Sequence, residues 1–236
     1  MNEPELKARV AGALWLAVIA AGVLGVVVES KLIVRGDAAL TAANITASES
    51  LFRIGVAADL FGGACYVGVT VLLYCLLKPV SRSLSLLAAF FGLAGVGVGA
   101  VGVVGRLAPL VLLGGGPYAA AFTTAQLQAL AMLSLSLQGL GLSVAMVFFG
   151  LQCVTVGGLI VRSSFLPRTL GVLLAVGGSS YVFSSFATLL SPPFGALVFP
   201  FIIPAAVVGE GALTLWLLFK GVNVRRWEEQ AGGRWQ

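Results

Sequence analysis

The sequence predicts an all-α fold: a polytopic integral membrane bundle of six transmembrane helices with both termini on the cytoplasmic side. Three observations carry that expectation. The 236 residues are 59% hydrophobic and only 10% charged, with a mean hydropathy of +1.05, well outside the usual composition of soluble domains. The charges are spaced for a bilayer, since none lies between Arg9 and Glu29, between Asp59 and Lys78, or between Arg82 and Arg106. About 18 uncharged apolar residues are enough to cross roughly 30 Å of hydrocarbon as a helix. Regular alternation of apolar and polar residues is absent, which excludes a transmembrane barrel.

The spans follow in order. The first covers residues 10–29, an apolar core longer than the roughly 7–15 residues of a cleaved signal, and its flank "MNEPELKAR" is not net positive. The second and third cover 55–77 and 83–107. Two longer uncharged runs, 107–161 and 169–209, divide at "LLGGGPYAAAFTT" and "SPPFGA", where Gly-Pro and Pro-Pro steps mark turns. That leaves a fourth span at 127–161, a fifth at 169–190 and a sixth at 198–219. No linker or charge block separates a second domain, so residues 1–236 form a single transmembrane domain with an outer loop at 31–52 and a cytoplasmic tail at 221–236.

Lysine and arginine gather near cytoplasmic loops. Lys7 and Arg9, Lys78 and Arg82, Arg162 and Arg168, and Lys220, Arg225, Arg226 and Arg234 all fall on one side of a six-span chain, whereas "GGGPYAAAFTT" and "SPPFGA" hold none. Both ends are therefore expected inside a bacterial cytoplasmic membrane. This asymmetry accounts for the pI near 9.5, so nucleic acid is not an expected partner. In the outer loop, Asp37 is placed to cap a short helix from Ala38, Ser48 to cap the second span, and Glu49 to pair with Arg53. "RSLSLLAA" from Arg82 and "RTLGVLLA" from Arg168 are read as similar helix starts rather than as a duplication.

The third span contains "GLAGVGVGAVGVVGR", with six glycines in residues 92–106. Each would cost about 1 kcal/mol in a soluble helix. In lipid the backbone has no alternative to the helix, and small residues let neighbours approach closely. Ala88, Gly92, Gly95, Gly99, Gly102 and Arg106 share one face, a seam for a partner helix that ends in an arginine.

Ionisable groups inside a membrane are expensive and normally face the protein interior. Glu210 falls about 15 Å deep, Gln152 about 14 Å, and Asp59, Arg106 and Gln138 nearer the outer edge by helical rise. Asp59, Arg106, Gln138 and Glu210 are the candidate binding residues, lining a polar cavity that opens outward. Two readings stay open for them: a functional site, or structural glue in which Asp59 bridges Arg106 and Glu210 bonds a neighbouring helix. Cys65 and Cys75 lie about 15 Å apart on one helix and cannot pair. With Cys153 they read as small buried hydrophobes. No histidine is present, and no metal motif, nucleotide loop or catalytic constellation stands out, so neither a cofactor nor a catalytic residue is assigned.

Nearly the whole chain resembles the bacterial domain of unknown function 4386, on the strength of "SESLFRIGVAADL", "LLYCLLKPVSRSLSLLAA", "FFGLQCVTVGGLIVRSSFLPRTLGVLLA" and "GEGALTLWLLFKG". The resemblance implies a small multispanning membrane protein without an assigned activity, and it sets Arg53, Asp59 and Glu210 within family motifs. Similar proteins often carry histidine where this chain has Gln152, and sometimes where it has Gln138, so any role resting on those histidines does not transfer. The expected function is binding or transport of a small polar or amphiphilic molecule. The alternatives are a membrane-embedded enzyme on a lipid or quinone, with Glu210 as acid or base, and a structural subunit. The expected partners are the bilayer, a small-molecule or lipid ligand and, for a structural subunit, further copies of the chain.

Overall fold

The computed structural model describes residues 2–232, apart from the side chains of Phe199 and Ile203. Regular structure among the described residues is helical throughout: α1 (Glu3–Leu32), α2 (Ala38–Ala47), α3 (Glu49–Leu77), α4 (Arg82–Leu113), a 3-10 turn (Pro117–Ala121), α5 (Thr124–Arg162), α6 (Arg168–Leu190), α7 (Pro192–Phe219) and α8 (Val224–Gly232). Helices α1, α3, α4, α5 and α6 are each long and apolar enough to cross a membrane, and α7 makes a sixth span if its two arms count as one. The chain is a multi-pass helical membrane protein. Arg234, expected among the basic residues of the tail, lies outside the described residues.

The helices overrun the expected spans, for reasons local to each end. α4 continues through Pro109 to Leu113, because in lipid a proline removes one donor without offering the backbone any alternative to the helix. α7 begins at Pro192, so "SPPFGA" opens a helix where a six-residue turn was expected. Proline suits the first helical position, where the missing N–H has no partner to lose, and Ser191 alone separates α6 from α7. Farther along, α7 bends by 42° between Pro192–Ile202 and Pro204–Phe219, where Pro200 and Pro204 withdraw donors and crowd the preceding turn.

Two compact units are formed. One contains Val18–Ala64 and Val98–Leu142. Its core is Val28, Leu32, Ile45, Phe52, Val56 and Leu135, with Val103, Leu107 and Leu110 packed against it. α2 belongs to this core through Ile45 and is tied down at several points. Asp37 accepts from the Leu40 N–H at 2.8 Å, the Val34 N–H donates to Thr41 Oγ1 at 2.9 Å, and Asn44 Nδ2 donates to the Leu32 carbonyl at 3.3 Å. Ser48 divides α2 from α3 through its backbone, its N–H bonding Asn44 O and its carbonyl accepting from Phe52 N–H.

The other unit contains Met1–Ala17, Cys65–Gly97 and Ser143–Gln236, with Trp15, Val69, Leu76, Leu159, Ile160, Leu213 and Leu217 buried. Glycine sets its helix spacing. A Cβ at Gly157 would stand 2.5 Å from the Gly171 carbonyl oxygen, one at Gly150 would stand 2.6 Å from that of Gly178, and one at Gly12 would stand 2.5 Å from the Leu218 nitrogen. α5 and α6 therefore touch backbone to backbone as an antiparallel pair, and α1 meets α7 the same way. α7 ends at Gly221, whose φ of 67° brings its N–H back to the Trp216 carbonyl at 3.0 Å, the left-handed stop that glycine permits. α8 then docks through Trp227 Nε1, which donates to the Leu76 carbonyl at 2.9 Å.

A paired substitution checks this packing. Gly157→Ala should lower stability by about 1–3 kcal/mol, the usual cost of overpacking. Gly158→Ala should leave it unchanged, since nothing lies within 4 Å of a Cβ at Gly158. Thermal unfolding of the two variants in detergent measures the difference.

Candidate functional site

Asp59 and Arg106 come together in the first unit. Arg106 Nη1 donates to Asp59 Oδ2 at 2.6 Å, with the arginine side chain 4% exposed and the aspartate 24%. Helix α4 delivers the guanidinium and α3 the carboxylate. Glycines make the room: a Cβ at Gly25 of α1 would stand 2.9 Å from Asp59 Oδ1, and one at Gly55 of α3 would stand 3.3 Å from Arg106 Nη2. The guanidinium carbon sits 5.9 Å from the centroid of the Phe52 ring, within the range of a cation–π contact. Its Nη2 lies 3.5 Å from the Gly25 carbonyl oxygen, at the long limit of a hydrogen bond. Arg106 Nε is buried without a partner. The pair is thus bonded but not saturated, with one donor and part of the carboxylate unspent.

Gln138 lies in the same unit. Its side chain packs on the glycine seam of α4, with Cγ 3.9 Å from a Cβ at Gly102 and Cβ 3.9 Å from one at Gly105. The seam receives α5 in the second unit too, where a Cβ at Gly92 would meet Gln152 Oε1 at 2.5 Å and one at Gly95 would meet the Phe149 ring at 2.7 Å. A Cβ at Gly97 or Gly99 would have nothing within 4 Å among the described residues. The partner helix expected for the seam is therefore α5 of the same chain at Gly92, Gly95, Gly102 and Gly105.

Glu210 belongs to the second unit and has its own company. Cys153 Sγ lies 3.7 Å from Glu210 Oε1, and the Tyr181 hydroxyl and Trp15 indole are turned toward the same carboxyl. Trp15 is 1% exposed, yet its Nε1 has no hydrogen-bond partner among the described residues. Tyr66 closes the cluster: its ring stands edge-on to Trp15 at 6.3 Å and to Phe149 at 4.7 Å. Five helices contribute, namely α1, α3, α5, α6 and α7. Close approaches bring the last three in, since a Cβ at Gly178 would meet that of Cys153 at 2.7 Å and one at Gly209 would meet the Leu173 carbonyl oxygen at 2.5 Å. Next to Cys153 on α5, Gln152 Nε2 donates to Thr70 Oγ1 at 3.2 Å, while Gln152 Oε1 and Ser85 Oγ are buried without partners among the described residues.

Of the four residues singled out from sequence, Asp59 and Arg106 are bonded to each other, Gln138 faces the glycines beside Arg106, and Glu210 is held by a separate group. Sequence reasoning placed Tyr66 on a polar face of the second span with Asp59 and Thr70, did not find Trp15 and Tyr181, and read Cys153 only as a hydrophobe. The signal that existed was each residue's hydroxyl, indole N–H or thiol on an otherwise apolar span. Among the described residues, no three of Cys, Asp and Glu lie close enough to hold a metal ion. Chemically, the Glu210 cluster offers one acceptor carboxyl, two hydroxyls, a thiol and an unspent indole N–H.

Comparison with known proteins adds a family and no activity. A family model described as "Domain of unknown function (DUF4386)" matches residues 10–221. An uncharacterized protein of Archaeoglobus fulgidus is 28% identical over 162 residues, covering 66% of this chain and 76% of that protein. No solved structure matches.

The ion pair is testable as a pair. Arg106→Gln strands the carboxylate and Asp59→Asn strands the guanidinium, and each should cost roughly 3 kcal/mol, the low end for a buried pair because Asp59 keeps some exposure. The double substitution should recover much of that loss. A double-mutant cycle on unfolding in detergent reads the coupling.

Proposed function

The chain belongs to the DUF4386 family, whose description assigns no activity, and from that premise we propose that it binds or transports a small polar or amphiphilic molecule within the membrane. The observation that carries this reading is the Glu210 cluster. A carboxyl in a spanning helix, with a fully buried indole N–H beside it left unspent, suits a guest with both an acceptor and a donor. A purely structural carboxyl would use up the donors around it, since leaving one buried and unbonded costs about 1–3 kcal/mol. Asp59, Arg106 and Gln138 form a second binding group within their own unit in this proposal, Arg106 through its free Nε and Asp59 through its exposed edge. Admission is from the outer face, with both termini inside a bacterial plasma membrane and the bilayer as constant partner.

Two other readings draw on specific contacts. The Cys153 thiol and Tyr181 hydroxyl beside Glu210 suit a membrane-embedded enzyme that uses Glu210 as acid or base on a lipid or quinone. The open space beside Gly97 and Gly99 suits a subunit that assembles with copies of itself.

Native mass spectrometry of the full chain, extracted with its surrounding lipid, separates these readings. The wild type should carry a small-molecule mass that Glu210→Gln loses by about ten-fold or more, as expected when a buried carboxyl that bonds the guest is removed. If Glu210→Gln retains the same masses while Gly99→Leu converts an oligomer to monomers, binding is refuted and assembly stands. Gly95→Leu does not discriminate, because it would collide with Phe149 of the same chain.

A further inference from the structure

The second unit carries a feature that the polar cluster does not use. A groove of about 910 Å³ runs along α6, bounded by α5 on one side and by the first arm of α7 on the other. Its floor is a single face of α6 from Val172 to Phe183, a length of about 16 Å by helical rise. One leaflet of a bilayer's hydrocarbon is about 15 Å thick. The walls are apolar, with Gly158 and Val161 from α5 facing Phe201 and Ile202 from α7. The hydroxyl of Ser180, on the floor, is spent on the Val176 carbonyl of its own helix at 2.9 Å. Gly158 opens onto free space, with nothing within 4 Å of a Cβ built there.

Among the described residues one charge lines this groove. Arg162, the last residue of α5, stands at its Val161 end, and among the described residues it joins none of the five ion pairs. A slot of one leaflet's length, apolar along its run but for the hydroxyls of Ser179 and Ser180 and cationic at one end, has the polarity of an anionic amphiphile. An uncharged helix from another chain would leave the guanidinium without a partner, whereas a phosphodiester headgroup supplies one and accepts two N–H bonds in parallel.

We infer that the groove along α6 binds one anionic phospholipid, its acyl chain lying between α5 and α7 and its headgroup phosphate on Arg162. This site is independent of the Glu210 reading and stands or falls by itself. Gly158 sets the width of the slot, and Arg162 sets the preference for charge.

The full chain is reconstituted in nanodiscs of equal parts phosphatidylglycerol and phosphatidylcholine, released, and its retained lipid is counted by native mass spectrometry. The wild type should retain one phosphatidylglycerol over phosphatidylcholine by about five-fold, the worth of one basic residue beside an anionic headgroup. Arg162→Gln should erase the preference, and Arg162→Lys should keep most of it. Gly158→Leu should remove the retained lipid of either kind without lowering the unfolding temperature. Equal retention of the two lipids by the wild type overturns the proposal. So does a preference that survives Arg162→Gln, or retention that survives Gly158→Leu. Glu210→Gln should leave all these ratios unchanged, so the outcome here is read separately from ligand loss at Glu210.

Discussion

Hydrocarbon offers no partner to a backbone N–H or C=O, and each group left bare costs several kcal/mol, so a chain that crosses it must bond its own backbone turn by turn. Much of what is unusual in this protein follows from that demand. Pro109 sits inside α4, Pro200 and Pro204 inside α7, and glycines fill α4, because local propensity is worth about 1 kcal/mol per residue for glycine and about 3 for proline. Those amounts lose to the demand for closure. The prolines are not silent, however, and α7 bends where two of them stand four residues apart.

Once helices are obligatory, the distance between them becomes the variable. Apolar side chains gain little by leaving lipid for one another, so association depends on close packing. Gly157 with Gly171, Gly150 with Gly178, and Gly12 against α7 place backbone on backbone. The same economy of space produces the polar groups: Gly25 and Gly55 clear the volume that Asp59 and Arg106 occupy, and Gly178 and Gly209 draw α6 and α7 in where Tyr181 and Glu210 project. Each unit thus builds its polar cluster from glycines on neighbouring helices.

Low dielectric raises the stakes of what is left unbonded. A buried guanidinium with one free nitrogen, and a buried indole N–H turned toward a carboxyl but left without a hydrogen-bond partner among the described residues, are costs that tight packing alone would remove. Their presence in both units, on residues from several helices, is why a guest molecule is the reading preferred over glue.

The sequence alone determined that the chain has several spans and roughly where they lie, because bilayer thickness converts directly into a length of uncharged chain, and it marked Asp59, Arg106 and Glu210, because a charge among apolar residues is visible without coordinates. It also located the Asp37 cap and the Glu49–Arg53 pair, which depend only on neighbours a turn away. Tertiary structure decided the rest. That Arg106 bonds Asp59, 47 residues distant, depends on which helix faces which, and hydropathy does not encode facing. Trp15, Cys153 and Tyr181 passed as apolar residues, since their polar atoms are single and terminal. Only the convergence of five helices turned those atoms toward one carboxyl, and that convergence is fixed by backbone contacts at glycines whose partners no local pattern can name.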